Sequence, residues 1–274
     1  MKPDFSKNKN LTLASQLPSA FTLFDTDIFK DKKPVIFLDF DGTLAPIVSN
    51  PEDACLSLDM YELLKKLLEQ ATCVILTGRD RTDIEQRINL QGMIFAGSHG
   101  YEIKGSELEW VYTEGLSSVA ALDVAQNELD LLLADERGVV VERKKFAIAV
   151  HYRHVPEERV QNVVDKVQSI IDQYRSCLKP GPGKKVMELK PNCEWNKGKA
   201  LDWLMSRLNF DLEKHVPIFI GDDLTDEDGF AMVQENGIGI VVSEDKHRYT
   251  QAGYLLRTPE DVYTFLYQLS QNMQ

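Results

Sequence analysis

Asp39-Phe40-Asp41-Gly42-Thr43-Leu44 sets two carboxylates two residues apart, directly after the apolar run Val35–Leu38. Two acids kept at one strand end are costly unless a cation or a proton transfer employs them. Gly42 permits a sharp turn that lets nearby amides approach an anion. An acidic strand end capping the next helix accounts for one aspartate, not for both with Gly-Thr. Three further segments carry comparable chemistry. Leu76-Thr77-Gly78-Arg79 reads either as a hydroxyl and amides that hold an anion at a helix start or as an ordinary strand-to-helix turn. In Asn196-Lys197-Gly198-Lys199-Ala200-Leu201, a lysine at a helix N-terminus opposes the macrodipole and calls for a compensating anion. Lys197 is the site candidate there, and Lys199 reads as a solvated side chain. Gly221-Asp222-Asp223-Leu224-Thr225-Asp226-Glu227-Asp228 holds five acids in seven residues, more than one helix cap can use. A hard divalent cation would account for them, and Mg²⁺ favours few carboxylates with water and phosphate; a solvated acidic loop is the alternative.

The elements that position these groups follow from the apolar pattern. Val35–Leu38, Cys73–Leu76, Met93–Ala96, Pro217–Ile220 and Ile238–Val242 are short apolar runs suited to strands buried on both faces. Helical patterns separate them: Leu58 to Leu68, about 80–89, about 197–208, near 225–234 and 259–269. This alternation predicts an α/β, Rossmann-like parallel sheet, whose ligands gather at the carboxyl ends of the strands. The middle of the chain differs. Strands at 108–112, 139–142 and 146–152 and long helices near 114–134 and 156–174 predict an inserted α+β unit over residues 105–187. Lys179-Pro180-Gly181-Pro182-Gly183 reads as a turn near its far end. The expected organisation is thus an extension over 1–33 that packs through a short helix, core over 34–104, insertion over 105–187 and core again over 188–274.

Composition narrows the classes of partner. The 274 residues carry 31 Lys and Arg against 43 Asp and Glu, a net charge of −12. That balance opposes a nucleic-acid binder and a polybasic attachment to anionic lipid. No segment approaches the ~18 apolar residues of a membrane span, and Met1–Ser6 has no hydrophobic signal region. Cys55, Cys73, Cys177 and Cys193 lack metal-ligand or framework spacing and read as reduced core residues, a Cys55–Cys73 pair being the alternative, with the cytoplasm as the expected compartment.

The four chemical motifs, in this order on strand ends and helix starts, resemble those of the haloacid-dehalogenase-like phosphatases. The resemblance narrows with Ala45-Pro46-Ile47, Ala96-Gly97-Ser98-His99-Gly100-Tyr101-Glu102, Val150-His151-Tyr152-Arg153, Glu188-Leu189-Lys190-Pro191 and the Gly-Asp-Asp-x-Thr-Asp-Glu segment. Together these are similar to the trehalose-phosphate phosphatase branch, from about Pro34 to the C-terminus.

The resemblance implies a fold with an inserted α+β cap and a two-step hydrolysis of trehalose 6-phosphate. Asp39 would attack phosphorus, and Asp41 would protonate the leaving sugar oxygen and then take a proton from water. It implies Mg²⁺ held by the Asp39 carboxylate, the Asp41 backbone carbonyl and Asp222, with Asp223 and Asp226 as helpers. Thr77 and Lys197 would hold the phosphoryl group, with Phe40, Gly42 and neighbouring amides lining its site. Glu188 and Lys190 fall on one face of a strand and are implied sugar ligands, as are Arg153, on the same alternation as His151, and His99. The same core chemistry suits sucrose phosphate, mannosyl-phosphoglycerate or a hexose phosphate, and a non-catalytic sugar-phosphate sensor is the alternative from another class. A functional association with a trehalose-phosphate synthase is a further implication.

Overall fold

The computed structural model describes residues 11–181 and 185–273. Pro182 and Gly183 of the predicted turn, and the beginning of the N-terminal extension, lie outside the described residues. The chain forms two units, one of residues 1–109 and 196–274 and one of Trp110–Trp195.

In chain order the first unit begins with Thr12–Leu13 (β1), Lys33–Leu38 (β2), Leu58–Leu68 (α1), Thr72–Leu76 (β3), Arg81–Ile88 (α2), Ile94–Gly97 (β4) and Glu102–Lys104 (β5). The edge strand Glu109–Val111 (β6) leads out of its sheet. The second unit holds Thr113–Ser117 (α3), Val119–Leu132 (α4), Val140–Lys144 (β7), Ala147–His151 (β8), Glu157–Gln173 (α5), Leu178–Gly181 (β9) and Val186–Pro191 (β10). The chain then returns through Lys197–Arg207 (α6), His215–Gly221 (β11), Glu227–Val233 (α7), Ile238–Val242 (β12), Tyr249–Thr250 (β13), Tyr254–Leu256 (β14) and Pro259–Asn272 (α8).

The large sheet runs β14-β12-β11-β2-β3-β4-β5-β6 and is parallel from β14 to β4. Its central strands are apolar on both faces because helices cover both: Ile36, Phe37 and Leu38 of β2 and Ile218, Phe219 and Ile220 of β11 are fully buried. After β2 the chain crosses to β3 on one side, and after β11 it crosses to β12 on the other. The neighbours β2 and β11 therefore flank the switch in strand order, where the carboxyl ends open a crevice. Side chains cap the helices as their types predict: Ser57 Oγ accepts from the Met60 amide at α1, and Asn196 Oδ1 from the Lys199 amide at α6.

The segment before β2 packs on this core, as expected of the extension. Ala20 and Leu23 of the short helix Ala20–Asp25 are buried, and the Phe24 ring lies 5.1 Å from that of Phe265 on α8. β1 pairs with β13.

The inserted unit is a four-stranded antiparallel sheet in the order β7-β8-β10-β9. Leu122, Ala125 and Leu129 of α4, with Val163, Val167 and Ile170 of α5, share a core with Ile148, Val150 and Leu189 of the sheet. Three expectations change. The strand expected at 108–112 within the insertion is β6 of the large sheet, and the second unit begins at Trp110 rather than 105. The insertion ends at Trp195 rather than 187, because β10 lies between β8 and β9 and its backbone bonds are spent inside this sheet. Lys179, Pro180 and Gly181 belong to a strand rather than a turn; β9 is an edge strand, the place in a sheet where proline is tolerated.

No disulfide joins any of the cysteines. Only Cys73 lies in the core, where burial pushes its thiol up to about 12. Cys55 is exposed, and Cys177 and Cys193 are half-buried. Among the described residues no helix is long and apolar enough to cross a membrane.

Candidate active site

Asp39 follows the last residue of β2, and its amide donates to the Ile220 carbonyl of β11, so the sheet itself places it beside Asp222. Asp39 is 5 % exposed. Lys197, at the first turn of α6 and 2 % exposed, donates from Nζ to Asp39 Oδ1 at 2.8 Å and to Asp226 Oδ1 at 2.6 Å. A buried lysine survives here because two carboxylates face it; despite burial, which opposes the charge, they hold its pKa above the ordinary value.

Asp39, Asp222 and Asp226 each offer an oxygen, and these lie within 4.8 Å of one another. Burial pushes Asp39 up to about 7 against the pull of Lys197. Burial, and then the charges of Asp39, Asp226 and Asp223, push Asp222 up to about 9. Asp222 Oδ1 is buried and accepts no hydrogen bond. Three acids against one lysine, with an unused buried oxygen aimed among them, fit a divalent metal that prefers oxygen ligands.

The five acids of the Gly-Asp-Asp segment divide by task. Asp222 and Asp226 join the cluster. Asp223 is exposed and caps the turn Leu224–Asp226, while Asp226 Oδ2 accepts from the Asp223 amide at 2.9 Å. Asp223, expected among the metal ligands, has its side chain at the start of that turn, and Asp226, expected as a helper, has an oxygen within the Asp39–Asp222 cluster. Glu227 accepts from Arg248 Nη2, Thr250 Oγ1 and the Gln251 amide, which ties α7 to the segment around β13. Asp228 is exposed.

Gly42 is required twice over. Its φ is +80°, and a Cβ there would fall 2.2 Å from Asp222 Oδ2. Gly42→Ala is expected to displace Asp222 and lower turnover by on the order of 100-fold while the chain still folds. Steady-state rates beside a thermal melt check this; an Ala variant at parental activity would remove the Gly42–Asp222 contact from the site.

Asp41 stands apart from the cluster. Its two carboxylate oxygens accept from Arg79 Nε at 2.7 Å and Nη2 at 2.6 Å. Phe40 is fully buried, and the Arg79 guanidinium lies 5.3 Å from its ring centroid. Thr77, at the end of β3, is buried, and its Oγ1 accepts from the Arg79 amide. The Ser98 and His99 amides donate to the Arg79 and Thr77 carbonyls, with φ of 49° and 58°, so the turn after β4 docks on the turn after β3. That docking lays the His99 imidazole over Gly78.

Within the inserted unit, Leu189 faces the helices, and Glu188 and Lys190 fall together on the opposite face of β10, as the alternation predicts. Gly181 lies opposite Glu188, and a Cβ at Gly181 would meet both side chains at about 3 Å. Ala149 lies opposite Glu188 on the other side, so small residues flank Glu188 in both neighbouring strands. His151 pairs with Glu142 at 2.9 Å. Arg153 departs from the expected alternation: β8 ends at His151, and Arg153 lies exposed in the turn before α5.

Sequence reasoning did not single out Asp226 as the second partner of Lys197, or Arg79 as the partner of Asp41. Arg79 had a signal, since it directly follows Thr77-Gly78. Asp226 had only its place in a run of acids.

The parallel sheet with acids at the carboxyl ends of β2 and β11 and an inserted α+β unit shares its fold with a haloacid dehalogenase-like hydrolase from Bacteroides thetaiotaomicron, at a TM-score of 0.61 and 14 % identity over 87 % of this chain and 99 % of that one. Residues 37–260 match the trehalose-phosphatase family, and the chain belongs to it. It is 38 % identical over 267 residues to a trehalose-phosphate phosphatase of Mycobacterium tuberculosis, covering 95 % of this chain and 67 % of that protein. It is equally similar, over 270 residues, to an uncharacterized glycosyl hydrolase of the same organism, of whose length it spans only 20 %. The C-terminal domain of C. albicans trehalose-6-phosphate phosphatase superposes with a TM-score of 0.78 at 22 % identity, over 93 % of this chain and 98 % of that domain.

Proposed function

We propose that the chain hydrolyses trehalose 6-phosphate to trehalose and phosphate, the last step of trehalose biosynthesis, through an aspartyl-phosphate. The observation that carries this reading is Asp39 itself. It is a buried carboxylate oriented by Lys197 and set beside Asp222 at the switch point of the sheet, in a chain of the trehalose-phosphatase family.

Asp39 forms the bond to phosphorus as the ester P–O bond breaks, and Asp41 gives its proton to the departing sugar oxygen. Water then attacks the aspartyl-phosphate, Asp41 takes its proton, and phosphate leaves with Asp39 restored. Lys197 Nζ and Thr77 Oγ1 hold phosphoryl oxygens, with amides around Phe40 and Gly42 as further donors. Asp39, Asp222 and the Asp41 backbone carbonyl would hold a divalent cation, read as Mg²⁺, which would supply positive charge at the phosphoryl group. Asp226 fixes Lys197 from the far side, and Asp223 serves through the turn it caps.

Glu188, Lys190 and Arg153 of the inserted unit are the proposed ligands of sugar hydroxyls, and His99 is the proposed sugar ligand in the first unit. Glu188→Ala is expected to cut kcat/KM for trehalose 6-phosphate by ~10–100-fold and to leave p-nitrophenyl phosphate within about threefold. Equal losses on both would take Glu188 out of sugar recognition. A cytoplasmic location belongs to this reading, as does a functional association with a trehalose-phosphate synthase, the enzyme class that supplies the substrate.

The deciding experiment is phosphate release from trehalose 6-phosphate, sucrose phosphate, mannosyl-phosphoglycerate and hexose phosphates, with Mg²⁺ and with chelator. Preference for trehalose 6-phosphate with loss in chelator is expected. Preference for another ester would move the substrate, and no release from any would leave the sensor reading.

A further inference from the structure

Asp41 is asked to stand in one place for two opposite proton transfers, yet its side chain is 42 % exposed, and packing does not fix its rotamer. A fork of two hydrogen bonds from Arg79 does. That guanidinium is itself pre-oriented. It is 11 % exposed, donates from Nη1 to Asp83 Oδ2 at 3.1 Å and from Nη2 to the Pro51 carbonyl at 2.7 Å, and lies over the Phe40 ring. Asp83 is held in turn by Arg87 Nε at 2.8 and 2.9 Å, and Arg87 Nη1 donates to the Glu52 and Ala54 carbonyls. The steps Arg79, Asp83 and Arg87 fall four residues apart, spanning the strand end and α2, so one face of that segment carries the whole chain of contacts. A freely solvated ion pair has no such support and little geometric value. A planar fork held by three partners other than the carboxylate transmits a definite orientation to it.

We propose that Arg79 is a positioning residue of the reaction, which holds the Asp41 carboxyl group where, protonated, it gives its proton to the leaving oxygen and, then ionised, takes one from water. This rests on the phosphatase reading but not on which sugar is the substrate. Lysine at position 79 keeps the charge and loses the fork.

The test is the burst of alcohol or phenol release by the Mg²⁺-supplied protein over phosphate monoesters from p-nitrophenyl phosphate, whose leaving group needs no proton, to simple alkyl phosphates. Arg79→Lys is expected to keep the p-nitrophenyl burst within about threefold and to lose ~100-fold on alkyl esters, the scale of general acid catalysis. In an Asp41→Asn background, Arg79→Lys is expected to cost nothing further. An even loss across the series, no loss, or an additive loss in the double variant overturns the assignment. A wild-type protein inert to every ester overturns the phosphatase reading and this assignment with it, whereas an active wild type with an unaltered variant profile overturns the assignment alone.

Discussion

Asp39→Asn is expected to lower phosphate release from trehalose 6-phosphate by on the order of 10⁴-fold or more, the scale of losing a nucleophile, and to leave the chain folded. Asparagine keeps the shape, and its Oδ1 still accepts from Lys197, but the amide does not displace an alcohol from phosphorus. Folding is expected to survive for an electrostatic reason. Asp39, Asp222 and Asp226 crowd one buried lysine, so the substitution removes a charge from an over-acidic cluster. Rapid-quench assays and a thermal melt in chelator check both halves. Turnover within tenfold of the parent would remove Asp39 as the nucleophile, and a collapsed Tm would show that the Asp39 charge holds Lys197 in place.

The second large effect joins the metal to pH. Asp39 and Asp222 are pushed up to about 7 and about 9, above the ordinary carboxylate value near 4, so the folded chain keeps their protons longer than the unfolded one. In the metal-free protein this contribution to stability is present in full below about pH 4 and is lost as pH rises through those two values. A bound dication replaces the protons, so Mg²⁺ is expected to raise Tm more at pH 9 than at pH 5. Asp222→Ala is expected to remove most of that Mg²⁺-dependent rise and, with it, ~100–1,000-fold of the activity. Melts at the two pH values with Mg²⁺ and with chelator decide this. A parent whose Tm ignores Mg²⁺, or an Asp222→Ala variant still active in chelator, would take the metal away from this cluster.

The α/β class, the order of the core elements and the four chemical segments were readable in the chain itself. The reason is local: a strand covered on both faces must be apolar throughout, and acids, glycines and hydroxyls at its end break that run visibly. Val35–Leu38 followed by Asp39-Phe40-Asp41-Gly42 is such a break, and Ile218–Ile220 followed by Gly221-Asp222-Asp223 is another. Glu188 and Lys190 were placed on one face by the two-residue period of a strand alone. The end of the insertion was not readable, because the partners of β10 are the distant β8 and β9, and the adjacent Pro/Gly tract mimics a boundary.

What only the tertiary structure decided is where each of several equivalent acids stands. Asp222, Asp223 and Asp226 are alike in composition and neighbourhood. Pairing of β2 with β11 brings Asp222 against Gly42, the first turn of α6 carries Lys197 between Asp39 and Asp226, and Asp223 is left to cap a turn. Likewise Arg79 acquires its relation to Asp41 only when β3 is laid beside β2. Residue type and local period are properties of a short stretch of chain and can be read there. Charge partners 29, 38 and 158 residues apart are set by strand order, and no local pattern carries that information.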